Sequence, residues 1–160
     1  MDGGNDFTCN NFGTQIIVEF PFNLNVYSEG ETVKLAEKFS QQLNIGDIIE
    51  LNGNLGAGKT FFIKHTLKSF GINNVSSPTF SIVNEYLGKY KVYHFDFYRI
   101  IESSELFDIG INDYFNDQEA IIFIEWGNLF PEVLPKNRIE IMISICEDFS
   151  RNFKFIKYNG

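Results

Sequence analysis

Gly53-Asn54-Leu55-Gly56-Ala57-Gly58-Lys59-Thr60 fits the phosphate-binding loop pattern G-x-x-x-x-G-K-[ST], and its flanks are the ones that pattern requires. It follows Asp47-Ile48-Ile49-Glu50-Leu51-Asn52, which reads as a short buried strand, and it opens into Phe61 to Phe70, which reads as a helix. Glycines at 53, 56 and 58 let the backbone fold tightly, so that several N–H groups can point inward at phosphate oxygens, helped by the positive end of the following helix. Lys59 would reach the β and γ phosphates of a nucleotide. Thr60 would set its hydroxyl on Mg²⁺, an ion that keeps several waters and takes few protein ligands. The competing reading is a glycine-rich turn that carries a lysine by chance. The strand before it and the helix after it argue against that.

Upstream of the loop, Ser28-Glu29-Gly30-Glu31 has the form of a capping box, with Ser28 as N-cap and Glu31 three residues on. A helix should run from there to about Leu43, with Leu35, Ala36, Phe39 and Leu43 as its apolar stripe. Gln15 to Phe20 alternates as a strand does, and Phe22 to Tyr27 continues as an extended segment after Pro21. Residues 1–14, rich in Gly, Asn and Asp, read as a flexible extension to a single domain over 15–160.

Downstream, Phe62, Ile63, Leu67 and Phe70 fall at helical spacing, and Gly71 stops the helix. Lys64 and His65 on it read as solvated. Ser76-Ser77-Pro78-Thr79-Phe80-Ser81 reads as a loop that feeds an antiparallel hairpin, Ile82 to Leu87 and Tyr90 to Phe97. A short helix is expected over Ile101 to Phe107, followed by loop and turn through Asp108-Ile109-Gly110 and Asp113-Tyr114-Phe115. The most apolar run of the chain, Ala120-Ile121-Ile122-Phe123-Ile124, ends at Glu125. Arg138 to Cys146 and Asn152 to Tyr158 look like a hairpin at the edge of the sheet.

A phosphate loop needs a partner acid, and two acids end apolar stretches here. An apolar run that terminates in an acid is how a central parallel strand presents a carboxylate at its carboxyl end. Glu125 is therefore favoured as the second magnesium ligand beside Thr60, since its strand is the more deeply apolar one. Asp96 would lie nearby, placing water or gating the γ phosphate. The alternative for either acid is a strand-end carboxylate that caps a helix or pairs with Arg99. Thr79 is suited to a switch segment that senses the γ phosphate, or else stabilises a turn. Trp126, the single tryptophan, directly follows Glu125 and would report on nucleotide. His94 reads as structural.

With 160 residues, 44% of them hydrophobic, the chain suits one α/β domain with one core. No apolar run reaches the ~18 residues of a membrane span, and the first residues lack the form of a signal peptide, so a cytoplasmic protein without membrane contact is expected. Cys9 and Cys146 form no C-x-x-C pair and suggest neither disulfide nor zinc site. The formal charge of −8 disfavours direct binding of nucleic acid, because the 13 Lys and Arg are scattered and form no basic stripe.

Taken together, Gly53 to Thr60, Ser77-Pro78-Thr79-Phe80, His94-Phe95-Asp96-Phe97-Tyr98-Arg99, Asp108-Ile109-Gly110 with Asp113-Tyr114, and Ile124-Glu125-Trp126 resemble the bacterial TsaE family over roughly residues 27 to 151. The resemblance implies a P-loop NTPase-like three-layer α/β fold, with a mixed central sheet, antiparallel hairpin additions and helices on both faces. It also implies a small ATPase that works with the TsaB and TsaD proteins in making N6-threonylcarbamoyladenosine in tRNA; the acidic charge leaves the tRNA itself to be held by another subunit. By motif, Thr60 and Glu125 resemble magnesium ligands, the loop from Gly53 holds the ATP phosphates, Asp96 resembles a residue needed for hydrolysis, and Thr79 matches a switch threonine. Ser28 to Thr32 falls where the family touches the base, and Arg151 matches a nucleotide-contacting arginine. Asn54 stands where the family often has an acid, and Gly127 where a proline commonly follows Glu-Trp.

Two other classes fit a phosphate loop: a small-molecule kinase, and a binding module in which ATP occupancy alone controls docking. Against the kinase, only Arg99, Arg138 and Arg151 are available to close over a transferring phosphate.

Overall fold

In the computed structural model, residues 19–78 and 80–160 are described. The expected extension over residues 1–14, the strand residues Gln15 to Val18, and Thr79 lie outside them. Among the described residues seven strands form one sheet: β1 (Phe22–Val26), β2 (Ile48–Asn52), β3 (Val83–Leu87), β4 (Lys91–Asp96), β5 (Ala120–Glu125), β6 (Arg138–Ile145) and β7 (Arg151–Tyr158). Their spatial order is β1-β7-β6-β2-β5-β4-β3. The four central strands, β6, β2, β5 and β4, are parallel, and β3, β7 and β1 add antiparallel at the two sides.

Side-chain alternation splits the core between the two faces. Ile49 and Leu51 of β2, Ile121 and Phe123 of β5, and Ile139, Ile141 and Ile143 of β6 join a cluster under α1 (Glu29–Ser40) and α2 (Lys59–Lys68). Ile48, Ile122 and Ile124 point the other way, toward Tyr93, Phe95, and Leu106 and Ile111 of two short helices, α3 (Ser103–Asp108) and α4 (Ile111–Phe115). The layers are thus helix, sheet, helix. Strands buried on both faces lose the usual polar alternation, which is why β5 reads as one continuous apolar run.

The helix entrances follow from capping. The Ser28 hydroxyl accepts the Glu31 N–H at 3.2 Å, and the Glu31 carboxylate reaches back to the Tyr27 N–H at 2.7 Å. The reciprocal bond thus lands one residue earlier than the usual box. At α3 the Glu102 and Glu105 side chains cap in both directions.

Four sequence expectations are corrected. The first helix ends at Ser40 rather than Leu43, with Leu43 still buried in the turn beyond it. Asp113 to Phe115 are not loop and turn but part of α4, because Gly110 takes φ 76° and Ile111, Tyr114 and Phe115 repeat at helical spacing toward the core. Glu19 and Phe20 belong to no strand. The hairpin of β6 and β7 is not at the edge: β6 pairs parallel with β2, and β1 covers β7. Among the described residues no helix is long and apolar enough to cross a membrane.

Phe62 is the hub of the larger cluster, with Phe39, Phe153 and Phe155 rings at 5.3 to 6.2 Å. Phe62→Ala is expected to destabilise the protein by about 3–5 kcal/mol, read from chemical denaturation at constant slope.

Candidate functional site

At the carboxyl ends of β2, β5 and β4 the register sets Leu51, Glu125 and Asp96 side by side. Neighbours in a parallel register project to the same face, so Glu125 and Asp96 both face α2, as Leu51 does. The loop from Gly53 to Gly58 leaves β2 and turns into α2 on that face.

Gly53 is held where no other residue fits: at φ 154° a Cβ would lie 2.3 Å from the Ile143 carbonyl oxygen. Asn54, Leu55 and Gly56 form the exposed crest, and Ala57 is buried beneath it with its N–H on the Asn54 carbonyl. Gly58, at φ 109°, starts α2 with no side-chain cap. The first-turn amides of an α-helix have no partner within it, and here no side chain supplies one. The entrance of α2 can therefore accept an anion, in contrast to the capped entrances of α1 and α3.

Lys59 is buried, with Nζ 2.6 Å from the Gly53 carbonyl oxygen and 3.1 Å from that of Asn54. The ammonium also lies 4.0 Å from the centroid of a Trp126 ring. Burial holds its pKa below the usual lysine range, against the opposing pull of the Glu125 and Asp96 carboxylates. Trp126 follows Glu125 in the left-handed region, at φ 61°, uncommon for a bulky residue. That turn lays its ring toward the loop and beside Tyr98, with ring centroids 4.9 Å apart.

The Thr60 hydroxyl donates to Glu125 Oε1 at 2.7 Å. A hydroxyl that gives its proton to a carboxylate keeps its lone pairs for a cation. Two hard oxygen donors on adjoining elements suit Mg²⁺, which takes one or two protein ligands alongside phosphate and water. Among the described residues no group of three His, Cys, Asp or Glu forms a complete metal cage. Asp96 accepts the Ser77 hydroxyl on Oδ2 at 2.8 Å and the Tyr98 N–H on Oδ1 at 3.0 Å. It thereby anchors the segment that leads into Thr79.

Arg151 donates from Nε to the Ala57 carbonyl at 3.3 Å, which brings β7 against the loop. Val26 pairs with Arg151, so the start of α1 lies at the same end. Thr32 is buried there, its hydroxyl bonded to the Ser28 carbonyl within its own turn. The structure therefore brings together the loop, Lys59, Thr60, Glu125, Asp96 and Trp126, with Arg151 behind the loop. Three contributors were missed from sequence. Ser77 and Tyr98 fall within the motifs, yet nothing in the sequence gives either a role. His94 lies two residues before Asp96, a spacing that puts both on one face of a strand, and its Nε2 is 2.9 Å from Glu125 Oε1.

Fold and site define a phosphate-loop protein of the α/β class, with an acid on each of the two strands nearest the loop strand on one side. A family model for "Threonylcarbamoyl adenosine biosynthesis protein TsaE" matches residues 26–153, and the chain belongs to the TsaE family. It is 38% identical over 135 residues to the tRNA threonylcarbamoyladenosine biosynthesis protein TsaE of Rickettsia typhi, covering 82% of this chain and 92% of that one. The Bacillus subtilis TsaE is 39% identical, covering 78% of each chain. The crystal structure of Bacillus subtilis YdiB superposes with a TM-score of 0.71 at 31% identity, over 87% of this chain and 86% of that one.

The lowered pKa of Lys59 fixes the sign of a pH effect. Below the folded-state pKa the buried charge weighs fully against folding, and this penalty is relieved as pH rises from the lowered folded value toward 10.5. The stability difference between Lys59→Met and wild type should therefore narrow over that window if the variant is the more stable at neutral pH. Thermal unfolding of both proteins across the alkaline range measures it. A difference constant with pH would contradict the buried ammonium.

Proposed function

We propose that the protein binds and hydrolyses Mg-ATP, as the accessory ATPase of N6-threonylcarbamoyladenosine formation in tRNA. The TsaE family acts in that biosynthesis. The observation that carries the nucleotide reading is the Thr60 to Glu125 hydrogen bond at the mouth of a helix with no side-chain cap. The amides of the loop and first turn of α2 would cradle the phosphates, and Lys59 would leave the Gly53 and Asn54 carbonyls for the β and γ oxygens. Thr60 and Glu125 would hold Mg²⁺, which when bound supplies charge neutralisation on the phosphate oxygens. Asp96, one strand over from Glu125, would orient water at the γ phosphate and hold the Ser77 to Thr79 segment in place. Trp126 and Tyr98 wall the site.

Transition-state charge is the deficit. Arg138 is committed to Glu50, with Nε 2.7 Å from Oε2, at the start of β6 and away from the loop. Arg151 is bonded to backbone carbonyls of Ala57 and Phe149. With three arginines in the chain and two of them so engaged, turnover should be slow alone, and a positive group or switch closure supplied in trans can raise phosphoryl transfer by ~10³ or more. TsaB and TsaD are the proposed partners, and tRNA is held by them because a chain of charge −8 gains little from counterion release.

Steady-state turnover of the protein alone and with TsaB and TsaD tests this, with tRNA modification measured in the same mixture. Turnover should rise with the partners, and free phosphate should equal ADP formed. ADP formation matched by a phosphorylated small molecule would instead establish a kinase, and tight tRNA binding by the isolated chain would refute the division of labour.

The two acids should separate. Asp96→Ala is expected to lower kcat by about 10²-fold or more with ATP affinity retained. Glu125→Gln should mainly weaken the Mg²⁺ dependence of nucleotide binding, followed through Trp126 emission. Loss of Mg²⁺ dependence in the Asp96 variant alone would exchange the two roles.

A further inference from the structure

His94 is fully buried on β4, level with Phe123 of β5 and on the same side of the sheet as Asp96. Its Nε2 lies 2.9 Å from Glu125 Oε1, the oxygen that also accepts the Thr60 hydroxyl. Its Nδ1 is the one buried side-chain nitrogen or oxygen among the described residues that has no hydrogen-bond partner. These facts fix where the proton sits. A carboxylate only accepts, so Nε2 must carry a hydrogen to bond it. A proton on Nδ1 would bury a donor with nothing to receive it, a worse defect than a bare lone pair. The ring is therefore the Nε2–H tautomer, with an idle acceptor at Nδ1.

A leucine or phenylalanine would fill the same space with no orphaned atom. Packing alone therefore does not account for an imidazole here, whereas its N–H aimed at Glu125 does. We propose that His94 is a positioning residue for the cation site: its Nε2–H holds Glu125 Oε1, fixing the carboxylate toward Thr60 and Mg²⁺. This rests on the reading of Thr60 and Glu125 as the magnesium site. With two donors on one oxygen, the carboxylate cannot swing back over Lys59 when the nucleotide is absent. Partners that orient a metal ligand in this way change metal affinity by about 10–100-fold when removed.

The test uses the full chain with ATP, and calorimetric Mg²⁺ titration of the ATP complex is the readout. His94→Leu fills the space and lacks a donor, whereas His94→Gln carries an N–H at the distance of Nε2. The leucine variant should need about 10–100-fold more Mg²⁺ at half-saturation. Its Mg²⁺-free ATP binding should stay unchanged, and glutamine should restore most of the Mg²⁺ affinity. Imidazole ¹⁵N spectra of the wild-type protein should show a protonated Nε2 and a bare Nδ1, a result that depends on no variant folding. A bare Nε2 overturns the proposal, as does wild-type Mg²⁺ affinity in His94→Leu while Glu125→Gln loses it. If Glu125→Gln also binds Mg²⁺ as wild type does, the magnesium site itself is misassigned, and the role of His94 falls with it.

Discussion

The parallel register of β2, β5 and β4 is the constraint on which the site depends. Leu51, Glu125 and Asp96 lie level with one another at the carboxyl ends of their strands, and the loop leaves β2 directly after Asn52. A slip of one residue in β5 would turn Glu125 to the opposite face and set Ile124 against Thr60, because side chains alternate with period two. The apolar run of β5 forbids that slip, since it would also exchange Phe123 and Ile122 between clusters of different shape. The chemistry is therefore positioned by hydrophobic packing several residues away from it.

A phosphate loop collects positive potential, and this chain surrounds it with acid. Lys59 sits between Glu125 and Asp96 in its charge environment, yet burial outweighs both. Its direct contacts are two carbonyls and the face of Trp126. A lysine held by weak dipoles and a π-face gives up little when stronger anions arrive. A lysine locked to a carboxylate would have to break a charge-assisted bond first. The committed acids serve the same end: Glu125 is occupied by Thr60 and His94, and Asp96 by Ser77 and the Tyr98 amide.

Much of this was legible in the sequence, because the decisive signals are local. The loop pattern, the capping box at Ser28, the apolar run ending at Glu125 and the glycine stop at Gly71 each act within a few residues, and each marks an element that the fold contains. What was hidden is non-local. That β1 lies outside β7, so that the last hairpin is internal, depends on pairings between residues some 130 positions apart. The α4 helix is only five residues long, too short for periodicity to outweigh its polar Asn112 and Asp113. Ser77 and His94 gained roles only when the fold brought them to Asp96 and Glu125, since nothing in their immediate neighbours marks a partner.

The turn after Trp126 is built around Gly127. Behind the loop, Asn52 donates to Glu50 and Glu140 at 2.7 and 2.9 Å and accepts the Asn128 N–H at 3.2 Å, so the residue before Gly53 also holds the turn that aims Trp126. Glu50 is in turn fixed by Arg138, buried, and pressed toward Gly127, where a Cβ would come within 2.8 to 3.0 Å of its side chain. A proline at 127 would bring that Cβ. The buried Glu50 and the glycine thus require each other: the acid occupies the space that a side chain at 127 would need. Glu50 cannot retreat without giving up its bonds to Arg138 and Asn52, which would leave its buried carboxylate unpaired. Gly127 is therefore the residue that lets the charged network of Glu50, Asn52 and Arg138 sit directly against the turn that carries Trp126.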